Sequence, residues 1–141
     1  LEISGSSISD ALKSLLQKLD DDEGYVSIHA YLDRTSVPEA AELRDLIANK
    51  TRRPVTFGWA PRFLHSTGQY HKGGPRQGIY LQIVSQAQQD IQVPGRDFSF
   101  GELIASQAAG DAKVLGALGR PVLTLTLADA KAGIAAIKNA I

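Results

Sequence analysis

The residues best suited to chemistry lie in one glycine-containing stretch, from Phe63 to Val84. It holds two of the chain's three histidines, and an imidazole with a pKa near 6.5 can give and take a proton at neutral pH. No carboxylate lies between Asp45 and Asp90, whereas the whole chain balances 15 basic against 15 acidic residues. This excess of positive charge predicts a site for a small anion such as phosphate. Six cations fall in the window: Lys50, Arg52, Arg53, Arg62, Lys72 and Arg76.

Each candidate in this stretch also has a simpler structural interpretation. His71 and Lys72 either contact a ligand or belong to a solvated turn. The glycines at 73 and 74 are typical of a turn, and His65 outside any motif is an ordinary loop histidine. A zinc site built on His65 and His71 lacks a nearby cysteine or carboxylate ligand, so no metal is predicted. The glycines match neither a dinucleotide fingerprint nor a P-loop, so no cofactor is predicted.

Composition limits the class of protein. The 141 residues, 43% hydrophobic and 21% charged, suit one globular domain with a core of its own. The balanced charge argues against a nucleic-acid or membrane partner, and no apolar run approaches 18 residues. The absence of cysteine suits a cytoplasmic protein. The chain begins at Leu1 and contains no methionine, so we interpret residues 1–141 as one domain cut from a longer polypeptide.

Apolar periodicity predicts alternating helices and strands around this stretch. Helices are expected to begin at Ser7, at a Ser36–Glu39 capping box, at a Ser99–Glu102 capping box and at Asp129. The stretch after Trp59 and Ser85–Arg96 are expected to be irregular. The alternation predicts a parallel sheet covered on both faces, with ligands beyond the carboxyl ends of its strands. The predicted strands are Tyr25–Leu32, Val55–Trp59, Ile79–Val84 and Val122–Leu127, the last at or near an edge.

Two segments resemble a known family of enzymes. Leu64–Tyr70, followed by Gly73, resembles the LHSxGQY…G segment of bacterial phosphoglucose isomerases. Phe98–Leu103 and Arg120–Leu127 resemble a later helix and strand of the same family. The similarity is greatest to the isomerase part of bifunctional transaldolase/glucose-6-phosphate isomerase fusions. It covers roughly residues 25–127 and implies the second of two sugar isomerase (SIS) domains. The implied fold is a three-layer α/β/α, doubly wound, mainly parallel sheet of SIS-like, flavodoxin-like topology.

The resemblance also implies chemistry and site residues. The enzyme family interconverts glucose 6-phosphate and fructose 6-phosphate, with a histidine opening the sugar ring and a glutamate moving a proton between C1 and C2. The motif implies that His65 is the catalytic histidine and that Gln69 orients the site. His71, Lys72 and Arg76 are the further candidates for binding the sugar phosphate.

Two features of the family are missing from this chain. The catalytic glutamate and the main phosphate loop belong to the first SIS domain, so we expect a partner: a preceding SIS domain in the same chain or a second subunit. The lysine-bearing helix of ordinary isomerases has no match near the end of the chain, and Lys138 does not replace it. This piece alone is therefore expected to be inactive. The alternative is a non-catalytic SIS module that binds a sugar phosphate for regulation.

Overall fold

Strands and helices alternate along residues 7–141, the part of the chain that the computed structural model describes. A short 3-10 helix, Pro38–Glu42, leads into the second α-helix. The strands are β1 (Tyr25–Tyr31), β2 (Val55–Trp59), β3 (Gly78–Ser85) and β4 (Val122–Leu127). The α-helices are α1 (Ile8–Leu16), α2 (Leu43–Thr51), α3 (Leu64–Gly73), α4 (Phe100–Ala117) and α5 (Ala130–Ala140).

The four strands form one sheet in the order β2-β1-β3-β4, and every pair is parallel. Strand β1 is central, with Val26 opposite Val55 on one side and Ile79 on the other. Strand β4 lies at an edge, as its alternation of threonine and leucine predicted. The predicted parallel sheet and the four strand positions are therefore confirmed.

One face of the sheet carries the apolar core. Alternate residues of the strands, such as Ile28 and Leu81, pack against the buried sides of α1, α2 and α5. These side chains are almost completely buried, because a strand covered by helices must remove its apolar surface from water. Helices α3 and α4 cover the other face, so the fold is a three-layer, flavodoxin-like α/β/α arrangement.

Three of the four predicted helix starts are confirmed. The side chains of Ser7, Ser99 and Asp129 accept hydrogen bonds from backbone N–H groups three residues later, and Ser99 forms a full capping box with Glu102. The predicted capping box at Ser36 is wrong. The Ser36 hydroxyl donates to the Asp33 carboxylate instead, and the chain forms the 3-10 helix before α2 begins.

The structure corrects the prediction that the stretch after Trp59 is irregular. Residues 64–73 form helix α3, although no side chain of the described residues caps its N-terminus. Its inner side is held by tertiary packing, since Gly68 and His71 are both buried against the sheet layer. Packing therefore outweighs the poor helix propensity of the glycines. In the part of the chain that is described, no helix is long and apolar enough to cross a lipid bilayer.

Candidate functional site

Helix α3 carries most of the predicted site residues. It follows β2 after a four-residue turn and runs back across the sheet to β3. His65, Gln69 and Lys72 have the spacing i, i+4 and i+7, so they lie on one face of this helix. His65 in the first turn and Gln69 in the second are exposed. Rising at about 1.5 Å per residue, the helix puts roughly 10 Å between His65 and Lys72.

An open cavity of about 620 Å³ lies beside the first turn of α3. Trp59 and Leu32 line it, which locates it at the carboxyl ends of β1 and β2. Arg34, Arg62 and Ser66 supply its polar side chains, and no carboxylate from residues 7–141 is part of the lining. This edge is where parallel sheets bind ligands, and two arginines there favour an anion. Arg34 lies outside the stretch that drew attention in the sequence, so the sequence prediction missed it.

The other predicted cations are scattered, which corrects the expectation of one cluster. Arg53 donates to the backbone carbonyls of Asp21, Asp22 and Gly24, and Lys50 donates to the carbonyl of Ile141. These contacts hold chain segments together at positions outside the lining of the cavity. Of the six cations in the carboxylate-free window, Arg62 is the one that lines the cavity.

Lys72 and Arg76 lie at the opposite end of α3 from His65. The Lys72 ammonium is 2.5 Å from the carboxylate of Asp111 on α4, and this carboxylate is mostly buried. Arg76 is exposed in the turn before β3 and approaches Gly119. The structure therefore does not bring Lys72 and Arg76 to the cavity beside His65.

His71 is buried, so the prediction of a solvated turn is wrong at this residue. Its ring is 5% exposed and stacks on His29, with 5.0 Å between ring centroids. Both Nε2 atoms approach the Ser27 hydroxyl, that of His29 at 3.0 Å and that of His71 at 3.5 Å. The Thr56 hydroxyl donates to the same Ser27 oxygen at 3.0 Å.

One arrangement of protons satisfies all three contacts of Ser27. The Ser27 hydroxyl accepts from Thr56 and from the Nε2–H of one histidine, and it donates to the bare Nε2 of the other. Both imidazoles are then neutral, and each Nδ1 is buried without a hydrogen-bond partner among the described residues. His29 is a core residue in which one ring nitrogen is paired with Ser27 and the other has no partner in the described part of the chain.

Burial explains the electrostatics of this histidine pair. Loss of water around the ring lowers the pKa of His29 to about 3, and the positive charges of His71 and Lys72 act in the same direction. Burial also lowers the pKa of His71, although the nearby Asp111 carboxylate opposes the shift. The pair is therefore suited to remaining uncharged at neutral pH, and to structure more than to proton transfer.

Arg120 fixes the far end of α3, a role that the sequence did not reveal. This side chain is 3% exposed, and its guanidinium donates to the carbonyls of Lys72, Gly74 and Pro75. A helix leaves its last carbonyls without partners, and a cation is favourable at that end. Arg120 therefore ties the start of β4 to α3, the helix that carries His65.

A second open cavity, of about 720 Å³, lies beside α3 near the beginnings of β1 and β2, and Phe63 and Ser66 line both cavities. It is lined by side chains that begin β1 and β2, including Tyr25 and Thr56, and by His71 and Tyr70 from α3. Gly78 makes room for this packing, since a β-carbon there would lie 2.6 Å from Tyr25 and Tyr80 atoms. Among residues 7–141, no group of three or more histidine, cysteine, aspartate or glutamate side chains is placed to hold a metal ion.

Comparisons with known proteins support the fold and leave the chemistry open. No protein-family model matches the sequence, and no curated protein matches it significantly. The structure is similar to the crystal structure of hypothetical protein TT0462 from Thermus thermophilus, with a TM-score of 0.68 and 16% sequence identity. The match covers 94% of this chain but about a third, 35%, of that chain. At this identity the likeness shows the fold alone.

Proposed function

We propose that this chain is part of a glucose-6-phosphate isomerase, the second SIS domain of a transaldolase/isomerase fusion in the cytoplasm. The observation that carries the proposal is the position of His65. This motif histidine is exposed in the first turn of α3, directly before Ser66, which lines the cavity together with Arg34 and Arg62; His65 itself is not one of the lining residues. A proton-transfer group must be reachable by substrate, and His65 is the one histidine of the three that is exposed.

The residues around the cavity have distinct roles in this proposal. The Arg34 and Arg62 guanidinium groups attract the phosphate, and their planar donors suit its oxygens. The His65 imidazole takes the proton from the sugar hydroxyl and returns one to the ring oxygen as the ring opens. Gln69, one turn further along the same face, orients His65 or the sugar. His71 supports α3 from its buried side, and Lys72 ties the last turn of the helix to Asp111.

The isomerisation step needs a group that the cavity lacks. Moving a proton between C1 and C2 requires a base, and no carboxylate of the described residues lines the cavity. The resemblance attributes this base to another SIS domain, in the same chain or in a second subunit. The solved chain that this structure resembles is much longer than 141 residues, which fits a protein with more than one SIS domain. The chain alone is therefore proposed to bind a sugar phosphate without turning it over.

The missing carboxylate also favours a second candidate. A SIS module that only senses a sugar phosphate needs cations and a cavity but no base, and the described cavity has this composition. Both candidates predict binding at the same place. Isomerase activity of the longer parent protein, with and without the His65 imidazole, distinguishes them.

Binding is tested by titrating the 141-residue chain with fructose 6-phosphate and recording amide NMR shifts. We expect weak binding, with shifts around Ser66 and at Arg34 and Arg62. Arg34→Ala and Arg62→Ala should each weaken it, whereas Arg96→Ala, a change to another exposed arginine, should not. Shifts confined to the opposite edge of the sheet, or equal affinity in all three variants, would contradict the proposed site.

A further inference from the structure

Helix α4 presents an unusual amount of apolar surface to solvent. Of the eight large hydrophobic side chains that are exposed among the described residues, five lie on this helix. They are Phe100, Leu103, Ile104, Val114 and Leu118, the last at the C-terminal cap, and together they form what we call the α4 surface. Ile91, 67% exposed, adjoins it, because its carbonyl accepts a hydrogen bond from Phe100. A cluster of this kind marks an interaction site more often than isolated exposed residues do.

The α4 surface follows one side of the helix, and its members are uncharged. Its members recur at helical spacing, so they follow one side of the helix from its first residue to its last. Gln107 and Gly110 lie on the same side, between the two apolar ends. The exposed charges of α4, Glu102 and Lys113, lie on a different side. Asp111 is already paired with Lys72, and the exposed Arg76 approaches Gly119 at the C-terminal end of the surface, so no free charge of α4 itself interrupts the surface.

Gly110 is a second, independent observation on this side of α4. Glycine in the middle of a helix is less stable than alanine, so it needs a reason. A β-carbon added at Gly110 would meet nothing within 4 Å, so no contact among the described residues requires its small size. Close approach of another backbone from outside the chain would require it.

We propose that the α4 surface pairs with the α4 surface of a second copy of this chain. The two helices run antiparallel about a twofold axis that crosses them at the level of residue 109. Phe100 then lies opposite Leu118 of the second copy, and Ile104 lies opposite Val114 of the second copy. The two Gly110 residues lie close to the axis, where the backbones are nearest. The surface is thus complementary to itself, which a twofold interface requires.

The apolar area of the α4 surface matches that of a standard interface. With Ile91, its side chains leave roughly 450 Å² of apolar area exposed in each copy. Each partner of a standard interface buries about 800 Å², of which a little over half is apolar. The core of an interface is its apolar part, with a polar rim around it. This proposal stands independently of the proposed enzymatic function.

Sedimentation equilibrium of the whole chain, from about 1 to 100 µM, tests the proposal. We expect a monomer–dimer equilibrium in this range. Val114→Glu should raise the dissociation constant at least about tenfold, because it places a charge against Ile104 of the second copy in the apolar part of the interface. Ala109→Glu is the matched control, since this exposed alanine points to another side of α4, and it should have little effect. Circular dichroism verifies that both variants are folded.

Gly110→Ala gives a test in which two readouts move in opposite directions. At concentrations where the chain is monomeric, the variant should unfold about 3–5 °C higher, because alanine favours the helix. Its dimer should nevertheless be several-fold weaker, since the added methyl groups separate the helices. The proposal is overturned if the unsubstituted chain stays monomeric at about 100 µM. It is also overturned if neither Val114→Glu nor Gly110→Ala weakens the dimer. A surface covered by another domain of a longer chain would give the monomeric result.

Discussion

The buried histidine pair makes the stability of the fold depend on pH, and His29→Gln tests the reason. Glutamine keeps a polar group near Ser27 but cannot take up a proton. The folded chain holds His29 uncharged, because burial lowers its pKa from 6.5 to about 3. The unfolded chain exposes the imidazole to water and protonates it at its ordinary pKa.

The direction and size of the effect follow from this difference. Below about pH 6.5 the unfolded chain takes up a proton that folded His29 does not take up until about pH 3, so acid favours unfolding throughout this window. At pH 4.5 the loss in the free energy of unfolding from His29 alone is about 3 kcal/mol relative to neutral pH. The lowered pKa of His71 adds to the loss in the same direction.

Urea unfolding followed by circular dichroism at about pH 7.5, 5.5 and 4.5 measures the effect. The carboxylates with lowered pKa, Asp20, Asp33, Asp45 and Asp90, lose their contributions below their ordinary pKa of 3.8, outside this window. We expect His29→Gln to be less stable than the unsubstituted chain at neutral pH, but its free energy of unfolding should fall by about 3 kcal/mol less on acidification to pH 4.5. His65→Gln, a change to the exposed histidine, is the control. If acidification lowers the free energy of unfolding equally in the unsubstituted chain and in His29→Gln, the explanation is wrong.

Three further substitutions test contacts that shape the site. Arg120→Ala should lower the free energy of unfolding, measured with urea, by about 2–4 kcal/mol, because three carbonyls lose a charged donor. Amide exchange in the last turn of α3 should become faster, and unchanged exchange would contradict the capping role of Arg120. Ser99→Ala should cost about 1 kcal/mol through loss of the capping box, and an effect near zero would count against it. Gly78→Ala should destabilise by about 1–3 kcal/mol, since the added methyl meets two tyrosines, and a neutral result would mean that those rings move freely.

Most of the sheet could be predicted from the sequence because its signals are local. Tyr25–Tyr31 carries apolar residues at alternate positions with further bulky residues between them, which is typical of a central strand. The capping box at Ser99 and the left-handed Gly119 are encoded within a few residues. The Ser36 prediction failed although it used the same kind of pattern, since Asp33 competes for the serine hydroxyl.

The candidate site was less predictable because it depends on distant residues. Helix α3 contains two glycines and has no N-cap side chain among the described residues, and its packing on the sheet makes it helical. Nothing local to His71 indicates that it stacks on His29, which is 42 positions earlier in the chain. Arg120 likewise reaches carbonyls 45–48 positions away. The motif drew attention to His65, and its catalytic role stays a prediction.

The most direct test of the proposed function is the turnover of glucose 6-phosphate by the longer parent protein, with and without the His65 imidazole. A general acid–base group typically contributes about 10²–10⁴-fold, so His65→Ala should lower the rate on ring-closed substrate by that factor. Folding should be unchanged, because the His65 side chain is exposed. Lys113→Ala, a change to an exposed residue on α4, is the control for a substitution remote from the cavity. A parent that isomerises the sugar phosphate and a His65→Ala variant that does so at the same rate would contradict the assignment of His65.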